Sequence, residues 1–527
     1  MGNVFKGRSL NVIEDFSIEE RRYFFRKVYE LKQAILQGDK AAQDAFRIND
    51  PDFGIYSVFL ENSTRTKESF RNAANFHHVK VSELLTGGSS INKGESYADT
   101  INTVTGYRNQ IFVVRSTTEG LTRWLSEETE AYTRRNGLPY TPAFINAGDG
   151  KHEHPTQELL DEFSFLEDNG MSFDSIHLAL VGDLYHGRTV HSKADGLKLF
   201  DKVRVDLIAP DELQMPDNYV EMMKENGFEV RSFSSIEEYL AGGDVSDKWY
   251  FTRPQLERMG DKILQKQDQL RQSITFRKEF LGRVKEGTKF YHPLPRHKEH
   301  PTIPTWLDET PLNGWEQQSI NGYYCRIVLI SLIAGVIGDD FVPAALPEKA
   351  EEEDYIQEVP AAGRKKKETE YSEGLRPIRD GLVIDHIGRG SSPKEIRAHM
   401  NLISGVMDLD DERGGQWVSR GADGRYKGII FRPERTEMTR KELKRLAAVA
   451  PGSTLNIIKD GAVVQKFRAH MPPRIYNFDD LRCRNEACVT HPANGENVPC
   501  RFYRTADGHF ACAYCGRFYD FKDIWER

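Results

Sequence analysis

Four consecutive polar residues, Ser63, Thr64, Arg65 and Thr66, stand between an apolar run, Ser57-Val58-Phe59-Leu60, and a segment whose apolar positions Phe70, Ala73 and Ala74 recur at helical spacing. A strand turning into a helix here places three hydroxyls and a guanidinium at the helix N-terminus. The first turn of a helix has unpaired N–H groups and the positive end of the dipole, and an Arg fork matches phosphate oxygens, so the expected chemistry is anion binding. Taken alone, the tetrapeptide also fits an ordinary Ser/Thr cap beside a solvated Arg. Two further polar turns bear on the choice. His154-Pro155-Thr156-Gln157 and His292-Pro293-Leu294-Pro295-Arg296 each follow an expected strand and offer both donors and acceptors to a small polar substrate.

A second constellation lies near the C-terminus. Cys483-x4-Cys488 and, after 23 residues, Cys512-x2-Cys515 form two clips of thiolates. This is the pattern of a closed tetrahedral zinc site, which leaves no position for a substrate water, so one structural zinc per chain is expected and not a catalytic one. Six cysteines in so long a chain are too few for a disulfide framework, and Cys325 and Cys500 stand apart from the clips.

The elements that must hold these turns are legible as short apolar runs at 111–114, 176–181, 203–208 and 289–291, alternating with longer amphipathic stretches. Such alternation is the βαβ pattern of a parallel sheet, whose ligands sit on the turns after the strands. Residues 347–376 break the pattern with an acidic cluster at 351–354 and a basic one at 365–367, and read as a linker. Beyond it, expected strands at 382–387, 454–458 and 462–467 and an expected helix at 439–449 mark a smaller α+β region, followed by the cysteine-bearing tail from about residue 473. A chain of 527 residues is too long for one core, and 39% hydrophobic with 29% charged residues is an ordinary globular balance. A net charge of −8 argues against a nucleic-acid binder, and the longest apolar run, 327–337, is far short of a bilayer span. No nucleic-acid or membrane partner is expected, and the N-terminus lacks the apolar core of a signal peptide, which points to the cytoplasm.

Together with Asn146-Ala147-Gly148-Asp149-Gly150, Val181-Gly182-Asp183 and Gly187-Arg188-Thr189-Val190-His191-Ser192, the three polar turns resemble the transcarbamylases over roughly residues 1–340. The resemblance implies transfer of the carbamoyl group of carbamoyl phosphate to an amine without a catalytic cofactor. It implies that Ser63, Thr64, Arg65 and Thr66 hold the phosphate, that Thr66, Arg115 and His154 polarise the carbonyl oxygen, and that Gln157 and the backbone at Leu294 and Pro295 hold the carbamoyl amide. Such a division suits the chemistry, because a developing oxyanion needs donors and an amide nitrogen needs acceptors. Ser89 and Lys93 resemble the family's mobile loop, which reaches a neighbouring subunit's site, and so imply a homotrimer or larger assembly with shared sites. The resemblance further places Arg188, Arg253 and Gln255, with Lys93, against the acceptor. Cationic forks suit a dicarboxylic amino acid such as L-aspartate, and Pro293 stands where ornithine enzymes carry Cys.

The cysteine clips, with Val383-Ile384-Asp385-His386-Ile387 and Val463-Val464-Gln465-Lys466, resemble the regulatory chain of aspartate carbamoyltransferase. A catalytic and a regulatory chain of pyrimidine biosynthesis are then joined in one polypeptide. Carried over, Asp385 and His386 read the base or ribose of an effector nucleotide and Lys466 a phosphate. A second lysine of that family falls here in the run Gly428-Ile429-Ile430-Phe431, where no Lys stands, which leaves nucleotide binding and a purely structural role both open. The expected fold is an α/β catalytic region of two parallel-sheet domains, then an α+β regulatory domain and a small β-rich zinc domain. The expected bounds are 1–150 for carbamoyl phosphate, completed by a helix at about 315–340, then 151–314 for aspartate, a linker at 345–376, 377–472 for the effector and 473–527 for zinc. Two alternatives are a transcarbamylase for another amino acid and a non-catalytic phosphate-ligand sensor, the latter requiring a missing catalytic side chain.

Overall fold

The computed structural model describes residues 2–85, 94–254, 266–343, 355–361, 379–409, 413–421 and 423–526, apart from the Arg188 side chain. The chain forms two compact units, Met1–Ala344 with Ala487–Glu496, and Ala345–Glu486 with Asn497–Arg527.

The first unit contains two parallel sheets. One is built from β1 (Gly54–Phe59), β2 (Lys80–Glu83), β3 (Asn109–Ser116) and β4 (Ala143–Asp149) in the order β2-β1-β3-β4. The other is built from β5 (Ser175–Val181), β6 (Lys202–Ile208), β7 (Glu229–Phe233), β8 (Lys248–Phe251) and β9 (Lys289–Tyr291) in the order β7-β6-β5-β8-β9. β3 and β4 are buried along nearly their whole length, as expected for strands covered by helices on both faces. In each sheet the strand order reverses once, between β1 and β3 and between β5 and β8. Open parallel sheets leave a crevice beyond the carboxyl ends of the strands at such a reversal. The turn at Ser63 follows β1, Arg115 lies at the end of β3, Gly182 follows β5 and Arg253 follows β8, so both reversals carry residues singled out from the sequence. The helix Trp315–Ala334 returns to pack on Ile18–Leu36, Thr64–Phe76 and Pro155–Asp168. Its second half, with Ile327, Val328, Leu329, Ile330, Leu332 and Ile333 all buried, belongs to the core.

Residues Ala487–Glu496 belong to this unit through backbone pairing: Glu119 N–H donates to the Ala487 carbonyl at 2.7 Å and Val489 N–H to the Glu119 carbonyl at 2.9 Å. The Glu496 carboxylate accepts from Tyr97 N–H at 2.5 Å and from the Trp124 indole at 3.0 Å.

The second unit has an antiparallel sheet of β10 (Ile356–Glu358), β11 (Gly381–Ile387), β12 (Gly415–Arg420), β13 (Tyr426–Pro433), β14 (Thr454–Lys459) and β15 (Ala462–Ala469), ordered β10-β15-β14-β11-β13-β12. Its helices Pro393–Val406 and Arg440–Val449 each begin with a capping box, Ser392 with Glu395 and Thr439 with Glu442. A smaller antiparallel sheet of β16 (Arg474–Tyr476), β17 (Arg501–Arg504), β18 (Phe510–Cys512) and β19 (Phe518–Tyr519) carries the second cysteine clip. Within the stretch read as a linker lies β10, which pairs with β15 through His470 N–H to the Tyr355 carbonyl at 2.8 Å and Val359 N–H to the Lys466 carbonyl at 2.9 Å. Ile356-Gln357-Glu358 has one apolar residue and follows the acidic cluster at 351–354, so the sequence pattern gives no sign of a strand.

Candidate active site

The turn after β1 is built for an anion. Leu60 N–H donates to the Arg115 carbonyl at 2.8 Å, holding the ends of β1 and β3 together, and the chain then enters the helix Thr64–Phe76. Ser63 occupies the N-cap position with extended backbone, yet its side chain makes no capping bond. The Ser/Thr-cap reading of this tetrapeptide therefore fails: the hydroxyl is available to a ligand, together with the free N–H groups of the first turn.

Arg115 reaches the same place from β3. Its Nη1 donates to the Ala147 carbonyl at 2.9 Å and its Nη2 pairs with Glu61 at 2.9 Å. Burial lowers the Arg115 pKa from its ordinary value, and the Glu61 carboxylate opposes that shift, so the guanidinium stays charged in a partly dry site. Room for it depends on Gly148, with φ +115°: a Cβ there would stand 2.6 Å from Arg115 Nη1 and 3.4 Å from the His154 ring. His154 is the N-cap residue of the helix Pro155–Asp168, with Pro155 in the first turn where its missing N–H costs nothing. Two helix N-termini thus point into one cavity of about 1120 Å³.

Of the residues expected in the catalytic site, Ser63, Thr64, Arg65, Thr66, Arg115, His154, Gln157, Arg253, Leu294 and Pro295 all line this cavity. Arg188 opens the helical turn Arg188–His191, between Gly187 and Thr189, which line the cavity too. Ser89, Lys93 and Gln255 lie outside the described residues. On the floor, His292 is buried, and its Nδ1 accepts from Leu294 N–H at 2.8 Å, which puts the ring proton on Nε2. Burial, helped by Arg296, Arg65 and Arg253, pulls its pKa down to about 3, so this imidazole is neutral throughout the physiological range.

The second unit gathers another set of charges. Asp385 and His386 lie near the end of β11, and Lys427 Nζ pairs with Asp385 at 2.8 Å from the adjacent β13. Burial lowers the His386 pKa; the neighbouring Asp385 carboxylate opposes that shift, and Lys427, Arg389 and Lys466 add to it. Lys427 directly precedes the run Gly428-Ile429-Ile430-Phe431, in which no Lys stands. The four Sγ atoms of Cys483, Cys488, Cys512 and Cys515 are buried and all lie within 4.8 Å of one another, with Cys483 and Cys515 3.6 Å apart. Tetrahedral thiolates on zinc stand roughly 3.8 Å apart, so the donor set fits such an ion.

Comparison with known proteins covers nearly the full length. Residues 8–167 match the sequence model of the aspartate/ornithine carbamoyltransferase carbamoyl-P binding domain, and residues 174–332 that of the Asp/Orn binding domain. Residues 373–470 match the allosteric domain, and residues 473–525 the metal binding domain, of the aspartate carbamoyltransferase regulatory chain. The protein PyrBI of Treponema denticola is 63% identical over 531 residues, covering 100% of this chain and 99% of that protein. That of Thermotoga maritima is 52% identical, covering 99% of each. The chain belongs to the aspartate carbamoyltransferases, as a fusion of catalytic and regulatory chains. Aspartate transcarbamoylase from Trypanosoma cruzi, solved with N-(phosphonacetyl)-L-aspartic acid, superposes with a TM-score of 0.54 at 29% identity, covering 62% of the fusion and 96% of that chain. The catalytic subunit from M. jannaschii gives 0.52 at 29% identity, covering 62% and 97%.

Among the cavity residues of the fusion that escaped the sequence reading are Glu61, Gln318 and Arg326. Glu61, which holds Arg115, sits two residues before the tetrapeptide and looks there like one more loop acid. Gln318 and Arg326 lie in the helix Trp315–Ala334, whose second half reads as pure core. Arg326 is buried, stacks over Phe70 at 4.9 Å and donates to Ser69 Oγ at 2.7 Å; burial brings its pKa down to about 10, which leaves it cationic at neutral pH. No sequence signal separates such a residue from an amphipathic stem at the end of a core helix.

Proposed function

We propose that the cavity holds carbamoyl phosphate on the N-termini of the helices Thr64–Phe76 and Pro155–Asp168, beside L-aspartate held by Arg253, Arg188 and Gln255. The observation that carries this is the convergence of an unspent Ser63 hydroxyl, Arg115 and His154 on one cavity that Arg253 also lines. Phosphate takes Ser63, Thr64, Arg65 and Thr66; the carbonyl oxygen takes Thr66, Arg115 and His154; the amide takes the Gln157 carbonyl and the backbone carbonyl of Leu294. The unprotonated amine of aspartate attacks the carbonyl carbon, the negative charge passes to the oxygen facing Arg115, and the carbon–oxygen bond to phosphate then breaks. Phosphate leaves with the electron pair and takes up the proton released by the amine. Positioning and preorganised donors supply the acceleration, with no covalent nucleophile required. Colorimetric assay of carbamoyl aspartate with L-aspartate, and of citrulline with L-ornithine, tests the reading; turnover with ornithine in place of aspartate would refute it.

Four further readings go with the fusion. The four cysteines bind one structural zinc, supported by their mutual distances. Ser89 and Lys93 serve a neighbouring subunit's site, so the working species is a trimer or larger. Asp385, His386, Lys427 and Lys466 bind the base, ribose and phosphates of an effector nucleotide, supported by the proximity of Asp385, Lys427, Arg389 and Lys466 to His386. The protein works in the cytoplasm; among the described residues no helix is long and apolar enough to cross a membrane.

A further inference from the structure

Behind the cavity, the two groups assigned to the carbamoyl amide are tied together through one buried carboxylate. Gln157 Nε2 donates to Asp161 Oδ1 at 2.8 Å, and Gln318 Nε2 donates to the same oxygen at 2.7 Å. Asp161 Oδ2 accepts from Lys193 Nζ at 2.9 Å and from the Tyr250 hydroxyl at 2.7 Å. Asp161 and Lys193 are 0% exposed and Gln318 is 1% exposed. An ionised carboxylate has about four acceptor positions and no proton to give, so these donors saturate it. From Gln318 the network continues: its Oε1 accepts His292 N–H at 2.8 Å, and His292 Nδ1 accepts Leu294 N–H at 2.8 Å. Leu294 has φ +55°, a region a leucine seldom enters, and this hydrogen bond ties it there.

A primary amide keeps its shape when turned end for end, so nothing steric decides whether Gln157 offers the cavity its oxygen or its NH2 group. Asp161 decides it, because a carboxylate can only accept: the NH2 group must face Asp161, and Oε1 is the atom left for a ligand. Gln318 is locked in the same sense, with NH2 on Asp161 and oxygen on the backbone of His292. We propose that Asp161 and Gln318 are positioning residues that set the donor specificity of the site. They aim the Gln157 oxygen and fix the Leu294 turn so that both acceptors meet an N–H on the carbonyl carbon of the donor. A donor with the same phosphate and carbonyl but a methyl group in that place leaves both acceptors unpaired and is rejected. The proposal rests on Gln157 and the Leu294 carbonyl being the partners of the carbamoyl amide.

Acetyl phosphate is that methyl analogue, and it separates the two roles in the full-length protein. At saturating aspartate, the KM for carbamoyl phosphate and the inhibition constant of acetyl phosphate are measured for the unsubstituted protein, Gln318→Met, Gln318→Asn and Gln157→Ala. Gln318→Met keeps an apolar side chain of similar length but neither donates to Asp161 nor accepts from His292. Gln318→Asn is too short to bridge the two and serves if the apolar substitution does not fold. Either is expected to raise the carbamoyl phosphate KM about tenfold while acetyl phosphate inhibition stays within about twofold, the loss typical of one mis-set hydrogen-bonding contact. Parallel weakening of both ligands is what a merely structural role gives, and it would overturn the proposal. If Gln157→Ala loses the discrimination and both Gln318 variants keep it, the amide-binding reading stands and the positioning proposal fails. If Gln157→Ala keeps it, the reading beneath the proposal fails.

Discussion

Gly148 lets a single added atom interrogate the catalytic arrangement. Alanine there is strained at φ +115° and puts its Cβ 2.6 Å from Arg115 Nη1, so the guanidinium must move. Displacing one donor to a developing oxyanion typically lowers kcat about 10²–10³-fold. Gly148→Ala is expected to show a loss of that order in steady-state assays, with the aspartate KM changed far less; an unaltered kcat would mean that Arg115 is not a donor in the transition state. His77 offers a test of a different kind. It is fully buried, its Nε2 faces the Ile327 carbonyl at 3.1 Å, and burial brings its pKa from 6.5 down to about 4. Between those values the unfolded chain takes up a proton that the folded chain refuses, so this residue's share of stability is complete above pH 6.5 and is lost as the pH falls toward 4. Glutamine does not titrate, so the stability gap between the natural protein and His77→Gln is expected to narrow by about 2–3 kcal/mol from pH 7 to pH 4.5. Thermal melts at stepped pH check it, and a constant gap would mean that His77 is not held neutral.

Among the elements, the regulatory helices depend on their first turns. Ser392 and Thr439 each accept from the N–H three residues on, while Glu395 and Glu442 reach back to the cap N–H. Ser392→Ala and Thr439→Ala are each expected to cost about 1 kcal/mol in urea denaturation followed on the second unit. Strand β10 hangs on fewer bonds. Val359→Pro removes the donor to the Lys466 carbonyl, and hydrogen exchange at residues 356–358 is expected to accelerate severalfold, since a three-residue edge strand has little else to hold it. At this scale the sequence was a good guide wherever apolar residues dominated five or more positions: expected strands at 176–181, 203–208 and 454–458 fall within β5, β6 and β14. It was a poor guide to β10, with its one apolar residue, and to Lys427, whose meeting with Asp385 depends on the register of β11 against β13.

For the whole molecule, the zinc and subunit readings carry their own tests. Metal analysis is expected to find about one zinc per chain, with chelation unfolding the cysteine-bearing region before activity is lost. Mixing inactive Arg65→Ala and Lys93→Ala chains under exchange is expected to restore activity, because in random trimers about a quarter of shared sites combine two intact contributions. No recovery would mean that Lys93 serves its own subunit. By itself, the sequence determined the chemistry-bearing turns, the cysteine clips and the alternation of strands and helices, because each is a property of neighbouring residues, and its resemblances implied the joining of catalytic and regulatory chains. Only the tertiary structure decided that the Ser63 hydroxyl is left unspent, that Glu61 steadies Arg115, and that Asp161 meets Gln318 across 157 residues of chain. The reason is physical: donors and acceptors find their partners by direction over about 3 Å, and that geometry exists only after helices and sheet ends have packed.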